Sequence, residues 1–268
     1  MNPATITTAI HLVLLGAALV GTMMFLLWLA HLQLKNASVV DPGWAYGLAI
    51  LAVTYAYLGQ GYAWRRWLIA GMAGIWGLRL GTYLLLRIVG KPEEGRYQQL
   101  RRDWRSNINF KFLVFFEFQA LLDVFLSLPF LLAALNPEPV LGTLEFAGIA
   151  LWLIAVMGEI MADSQLAGFK RDPLSHGKVC QRGLWNYSRH PNYFFEWLVW
   201  VAWALFALAS PYGWLAIACP VLMFYFLFRV TGIPATEAQA LRSKGEAYRM
   251  YQQTTSSFVP WFRKLAQD

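Results

Sequence analysis

Charge is scarce in this chain. Asp, Glu, Lys and Arg supply 14% of its 268 residues, against about 25% in soluble domains, while 58% of the residues are hydrophobic and 16% aromatic. That balance excludes a soluble globular enzyme and requires an integral membrane protein. Cysteine is rarer still. Cys180 in a basic loop and Cys219 in an apolar run give neither a disulfide framework nor a metal cluster. His11, His31, His176 and His190 lack ligand spacing, so no metal site is expected. There is no internal repeat and no low-complexity tract. No basic residue precedes the first apolar run and no small-residue cleavage pattern follows it, so that run reads as a spanning helix and not a signal peptide.

What the chain does have is apolar runs of about the 20 residues that cross a bilayer core of about 30 Å. They fall near 6–32, 44–64, 67–86, 112–135, 141–161, 194–208 and 213–228. This predicts an all-α, polytopic bundle of about seven transmembrane helices, forming one membrane domain over 1–268. The sixth is short and needs Pro191 to Tyr193 to complete it.

Lys and Arg number seven from Arg87 to Lys111, five from Lys170 to Arg189 and six from Arg229 onward, with none between the fourth and fifth or the sixth and seventh runs. The positive-inside rule therefore puts the N-terminus outside and the C-terminus in the cytoplasm. Arg65 and Arg66 conflict with that count, and the expectation is a tight turn whose tip snorkels outward. The net charge of +7 is mostly this topological bias, and dispersed bases without a binding fold exclude nucleic acid. The stretch from Lys91 to Trp104 mixes both signs with aromatic residues, as a small folded cap would. Glu237 should lie in the first turns of a polar tail helix that carries Tyr248 and Tyr251 on one side.

Acids within apolar runs are costly unless they face a partner or cavity, at roughly 2.5–3.5 kcal/mol each. Within the predicted helices or at their ends they are Asp41 at the start of the second, Glu117 and Asp123 in the fourth, Glu145 near the outer end of the fifth, and Glu159 and Asp163 at its cytoplasmic end, with Asp123 the deepest. Arg79 is the base expected to neutralise one of them.

The densest polar cluster is Gly183-Leu-Trp-Asn-Tyr-Ser-Arg189-His190-Pro191-Asn192-Tyr193-Phe-Phe-Glu196. Pro191 suits the first position of a helix, so Arg189 and His190 would project beside exposed backbone donors that attract anions. Asn192 and Glu196 are four apart and share a face, where they could grip a cofactor.

This run, with the tail Glu-Ala-Tyr-x-x-Tyr-x-x-Thr-(x)-Ser-x-Phe-x-Pro-Trp, resembles the steroid 5-alpha-reductase-like membrane superfamily, in particular its bacterial, mostly uncharacterised branch. Val40-Asp41-Pro-Gly-Trp44 and the stretch from Glu93 to Tyr97 are similar too. The Arg-His-Pro-Asn-Tyr core is shared with sterol reductases, and a related motif occurs in isoprenylcysteine carboxyl methyltransferases. The resemblance implies a bacterial inner membrane location, substrate-side helices over 1–135, and a half at 136–268 whose cytoplasmic loops close over NADPH. It also implies that Asp163, Lys170, Arg171, Arg189, His190, Asn192, Tyr193, Glu196, Arg229, Glu237 and Tyr248 meet the cofactor. Two positions depart from the pattern: Val40-Asp41 stands where steroid reductases carry Gln-Glu, and Phe195 stands where a glycine is usual.

The leading functional expectation is an NADPH-dependent reductase of a carbon–carbon double bond in a lipid or steroid-like enone, acting on CH–CH groups as a 3-oxo-5-alpha-steroid 4-dehydrogenase does. Reduction builds charge on the enone oxygen, and a donor must stabilise it. Asp41 or Tyr83 would serve, with a small lipophilic substrate entering from among the membrane lipids. The alternatives are an S-adenosylmethionine-dependent methyltransferase of a lipid or prenylated thiol, and a non-enzymatic lipid-binding or transport bundle. Lys170, Arg171, Lys178, Arg182 and Arg189 on one loop favour three phosphates over a sulfonium.

Overall fold

The computed structural model describes residues 3–230 and 232–263; the terminal residues by which the orientation was expressed lie outside these. Among the described residues the structure is all-α, with no strand, and six helices are long and apolar enough to cross a membrane. The chain divides into two compact units, Met1–Glu145 with Phe206–Ala216, and Phe146–Leu205 with Ile217–Asp268.

The first unit contains α1 (Pro3–Leu34), α2 (Val40–Leu58), α3 (Ala63–Ile88), the short α4 (Gly95–Trp104), α5 (Ile108–Leu126) and α6 (Leu128–Leu135). Tyr55, Trp76, Phe112, Phe116 and Phe130 are fully buried in its core. Helices α2 and α3 approach closely because Gly77 is bare: a β-carbon there would stand 2.6 Å from the carbonyl of Ala45. Without a hydrophobic drive between helices in lipid, such small-residue contacts supply the packing.

Arg65 overturns the expectation of an outward-snorkelling tip. Its side chain is 1% exposed, ion-paired with Glu145, and donates 3.2 Å to the carbonyl of Asn136 and 2.6 Å to that of Val140, with a further bond to Glu138 O. The turn between α2 and α3 is folded inward by backbone bonds from Gly61 to Ala134 (2.9 Å) and from Tyr62 to Asn136 (2.9 Å), which carry the arginine with them. Arg66 is likewise turned onto carbonyls, those of Ala56 (2.8 Å) and Gly59. Charge counting misread this turn because an arginine with a buried carboxylate and three carbonyls needs no water.

The second unit contains most of α7 (Thr143–Arg171), α8 (Pro191–Ala207), α9 (Ala218–Tyr225), α10 (Ile233–Lys244) and α11 (Glu246–Thr254). Pro191 opens α8, as its missing N–H favours. At 17 residues α8 spans about 26 Å, short of a full bilayer core, so this run is not among the six. A π-helical turn, Phe226–Val230, follows α9. The expected single tail helix is broken in two at Gly245, whose φ of +55 an L-residue rarely adopts. Phe258, in the extended segment beyond α11, is 4% exposed and packs edge-on against Phe194, Trp197, Phe224 and Phe228.

Candidate functional site

In the second unit the expected polar cluster exists, and most of its members hold one another. Arg189 Nε donates to Glu237 Oε1 at 2.7 Å, and its Nη1 donates to the carbonyls of Gln252 (2.8 Å) and Thr255 (2.6 Å). His190 is 3% exposed, stacks on Tyr193 with ring centroids 5.4 Å apart, and sets Nε2 3.2 Å from the same Glu237 oxygen. Gln252 Nε2 donates 2.8 Å to the second oxygen of Glu237. Tyr248 is buried beside them, and burial, followed by the charge of Glu237, pushes its hydroxyl up to about 12. The loop before α8 and the helix α11 thus meet at one carboxylate of α10.

The loop before α8 is sewn to the segment after α11. Arg189 N–H donates to Ser256 O at 2.8 Å, Ser188 Oγ to Phe258 O at 2.7 Å, and the Tyr251 hydroxyl to Ser188 O at 3.1 Å and to Trp185 O. The motif and the tail that resemble one family are therefore one physical object.

Asn192 donates 3.3 Å to Asp163, and Glu196 accepts from Trp200 at 3.1 Å. All three acidic and amide groups are half-buried. The Tyr193 hydroxyl lies 3.2 Å from Thr236. Lys170 and Arg171 end α7 exposed, and Arg229 is exposed on the π-helical turn. Phe195 fills what would otherwise be space: its ring lies where a β-carbon on Gly158 would be 2.4 Å away, so the glycine absent at 195 is found on α7.

In the first unit Asp41 lies in the first turn of α2 and acts as an acceptor. The Tyr97 hydroxyl donates to it at 2.6 Å, and Arg96 forms an ion pair with its other oxygen. These partners reach Asp41 because α4 brings Arg96 and Tyr97 over the start of α2. Arg96 also covers the Tyr97 ring at 4.7 Å. Burial first, and then the charge of Asp41, pushes the Tyr97 hydroxyl well above the usual phenol range. Glu93 fastens the cap, accepting from Ala37 N–H at 2.6 Å and from both sides of the Arg101 fork at 2.7 and 3.0 Å. Tyr83 is 44% exposed on α3.

Sequence reasoning missed Gln252, Thr255 and Ser188 in one unit and Arg96 and Tyr97 as partners of Asp41 in the other. The signal for Tyr97 was available in the mixed-charge stretch from Lys91 to Trp104. Thr255, and Gln252 in part, act through backbone carbonyls, which no side-chain pattern reveals. Among the described residues no group of three or more His, Cys, Asp or Glu is arranged to hold a metal.

The comparisons with known proteins agree in extent with this organisation. Residues 27–255 match the family described as protein of unknown function DUF1295. An uncharacterized protein of Schizosaccharomyces pombe is 28% identical over 269 residues, covering 87% of this chain and 75% of the relative. No solved structure matches.

Proposed function

Since the chain belongs to the DUF1295 family, which is steroid 5-alpha-reductase-like, we propose that it is an NADPH-dependent reductase of a carbon–carbon double bond in a lipid or steroid-like enone. The observation that carries this reading is the polar knot of Arg189, His190, Glu237, Gln252 and Tyr248 at the start of α8. A charged knot at the end of an apolar helix is expensive to maintain, and it fixes that helix start and its neighbouring loops in one geometry.

The donor set fits a polyanionic nucleotide. Lys170, Arg171 and Arg229 are exposed at element ends, Lys178 and Arg182 are exposed on the loop that follows α7, and phosphate recognition calls for several such groups. NADPH supplies a hydride when bound. Lys170, Arg171 and Arg229 would hold its phosphates, and Asp163, Asn192, Tyr193 and Glu196 would orient it along the first turns of α8 and the facing length of α7. Arg189, His190, Glu237 and Tyr248 would act mainly by holding that helix start in place. In the first unit Asp41 and Tyr97 form an acid–phenol pair able to hold a proton at the tyrosine hydroxyl. The reading carries with it a small lipophilic substrate from the bilayer, a bacterial inner membrane, and an N-terminus outside with the C-terminus cytoplasmic.

The test is calorimetry of detergent-solubilised protein with NADPH and with S-adenosylmethionine, followed by absorbance of NADPH on addition of an enone lipid. Binding and oxidation of NADPH are expected. Tight binding of S-adenosylmethionine with no response to NADPH would refute the reductase reading in favour of a methyltransferase.

A further inference from the structure

Beyond α11 the chain of the second unit runs on as an extended strap, and it carries apolar side chains that the fold leaves uncovered. Trp261 is 68% exposed and Phe262 76%, with Val259 and Tyr187 exposed beside them. Phe262 meets Tyr187 edge-on, ring centroids 6.2 Å apart, and lies 6.2 Å from the Trp261 ring on its other side. A shallow groove of about 310 Å³, lined by Ser256, Val259, Trp261 and Phe262, stays open along this edge. Contiguous apolar surface of this kind marks an interaction site, for protein or for membrane.

The depth of the strap decides between the two. About 20 residues of α7, enough to cross a bilayer core of about 30 Å, run from Thr143 to Ala162. The loop before α8 is tied to that end of the span: Trp185 Nε1 donates 2.8 Å to Ala162 O, and Leu184 N–H donates 2.8 Å to Gln165 Oε1. From there α8 descends along α7, since Asn192 meets Asp163 and Phe195 lies against Gly158, more than a turn deeper. Phe258 packs on Phe194 and Trp197 in these descending turns, so the strap dips to the level of the core at this residue. It is back at the level of the loop by Trp261, whose N–H donates 2.9 Å to Tyr187 O. Trp261, Phe262 and Tyr187 thus lie at the membrane–water boundary, where Trp and Tyr rings collect.

We propose that Val259, Trp261, Phe262 and Tyr187 form a wedge seated in the lipid surface, by which the strap holds the bilayer independently of the spanning helices. A soluble partner would have to reach beneath the headgroups to cover Val259, which directly follows Phe258. The charge of Arg263 does not have to enter lipid with the rings, because Asn186 Oδ1 at 3.2 Å and Gln181 Oε1 at 2.7 Å accept from it on the loop side. The wedge also reaches the polar knot. Ser256 O and Phe258 O accept from Arg189 N–H at 2.8 Å and from Ser188 Oγ at 2.7 Å, so a strap fixed in lipid fixes the depth of the loop before α8. None of this needs nucleotide or turnover, and it stands or falls apart from the reductase reading.

The test uses the full chain in phosphatidylcholine nanodiscs, with a nitroxide on Trp261→Cys or Phe262→Cys; the native Cys180 and Cys219 are buried. Electron paramagnetic resonance then compares collisions with oxygen, which concentrates in lipid, and with a water-soluble nickel chelate. Labels on Leu121→Cys, exposed on the spanning helix α5, and on Glu246→Cys, exposed at the start of α11, set the lipid and water limits. Both strap labels should give an oxygen-to-nickel ratio on the lipid side of the midpoint between those limits. A ratio on the water side at either position overturns the proposal. Low collision rates with both reagents overturn it too, by showing that a protein partner or a second copy covers the rings. Changing Trp261→Ser and Phe262→Ser together, in side chains outside the core, should shift the ratio of a label on Tyr187→Cys toward the water limit. No shift there would refute the hold of the wedge on the loop.

Discussion

Arg189→Ala removes three side-chain contacts at once: the bond to Glu237 and the two to the carbonyls of Gln252 and Thr255 at the end of α11. Those carbonyls are among the acceptors a helix leaves open at its C-terminus, where a cation is favourable. The side chains of Arg189 and Glu237 are 11% and 16% exposed, so the pair lies closer to a buried ion pair than to a surface one. Breaking a buried pair costs about 3–5 kcal/mol, and the remaining exposure, with His190 and Gln252 still holding Glu237, argues for the lower end, about 3 kcal/mol. At roughly 2–4 °C per kcal/mol for a chain of this size, the melting temperature in detergent should fall by about 6–12 °C. Trypsin should then cut faster after Arg242, Lys244 and Arg249, because α10 and α11 lose part of their fastening to the loop before α8. Tryptophan fluorescence on heating and timed proteolysis measure the two effects. A melting temperature within about 2 °C of wild type, with an unchanged digest and a loss confined to NADPH affinity, would refute the clamp and return Arg189 to direct phosphate binding.

Other expectations follow from the same geometry. Glu145→Gln should destabilise the chain by about 3–5 kcal/mol by leaving the Arg65 guanidinium buried without its countercharge, and the double variant Arg65→Met with Glu145→Leu should recover much of that loss on thermal unfolding. Because the Tyr248 hydroxyl is raised from 10.0 to about 12, its contribution to stability is present below about pH 10 and is lost as pH rises toward 12; Tyr248→Phe should show a smaller alkaline fall in melting temperature. Asp41→Asn should lower single-turnover NADPH oxidation with an enone lipid by roughly 10²–10⁴ with NADPH affinity nearly unchanged, and near-normal rates per folded molecule would remove Asp41 from the chemistry.

The spanning helices were legible because twenty apolar residues in a row have few alternatives, and Pro191 marked the start of α8 because proline fits a first turn. The cluster residues were legible as types but not as partners. Arg189 looks in sequence like a free cation facing a ligand; in the fold its Nη1 is turned to two carbonyls more than sixty residues away and its Nε to Glu237. Arg65 was misread for the same reason, since backbone carbonyls carry no letter. Asp41 was placed at the head of α2, yet its partner depended on how α4 folds back, which hydrophobic periodicity does not describe. Phe195 stood out as a departure from the usual glycine, and only packing shows that Gly158 had yielded the space.

Arg65 and Glu145 are separated by 80 residues of chain. At about 5–20 residues per second of synthesis, the arginine leaves the ribosome roughly 4–16 s before its carboxylate partner. During that interval α3 carries an uncompensated cation at its start, and the carbonyls of Asn136, Glu138 and Val140 that will receive it do not yet exist. The hairpin of α2 and α3 therefore cannot reach its final burial as it is made. It must wait at the membrane interface, its arginine still in water or headgroups, until the beginning of α7 arrives to draw it in.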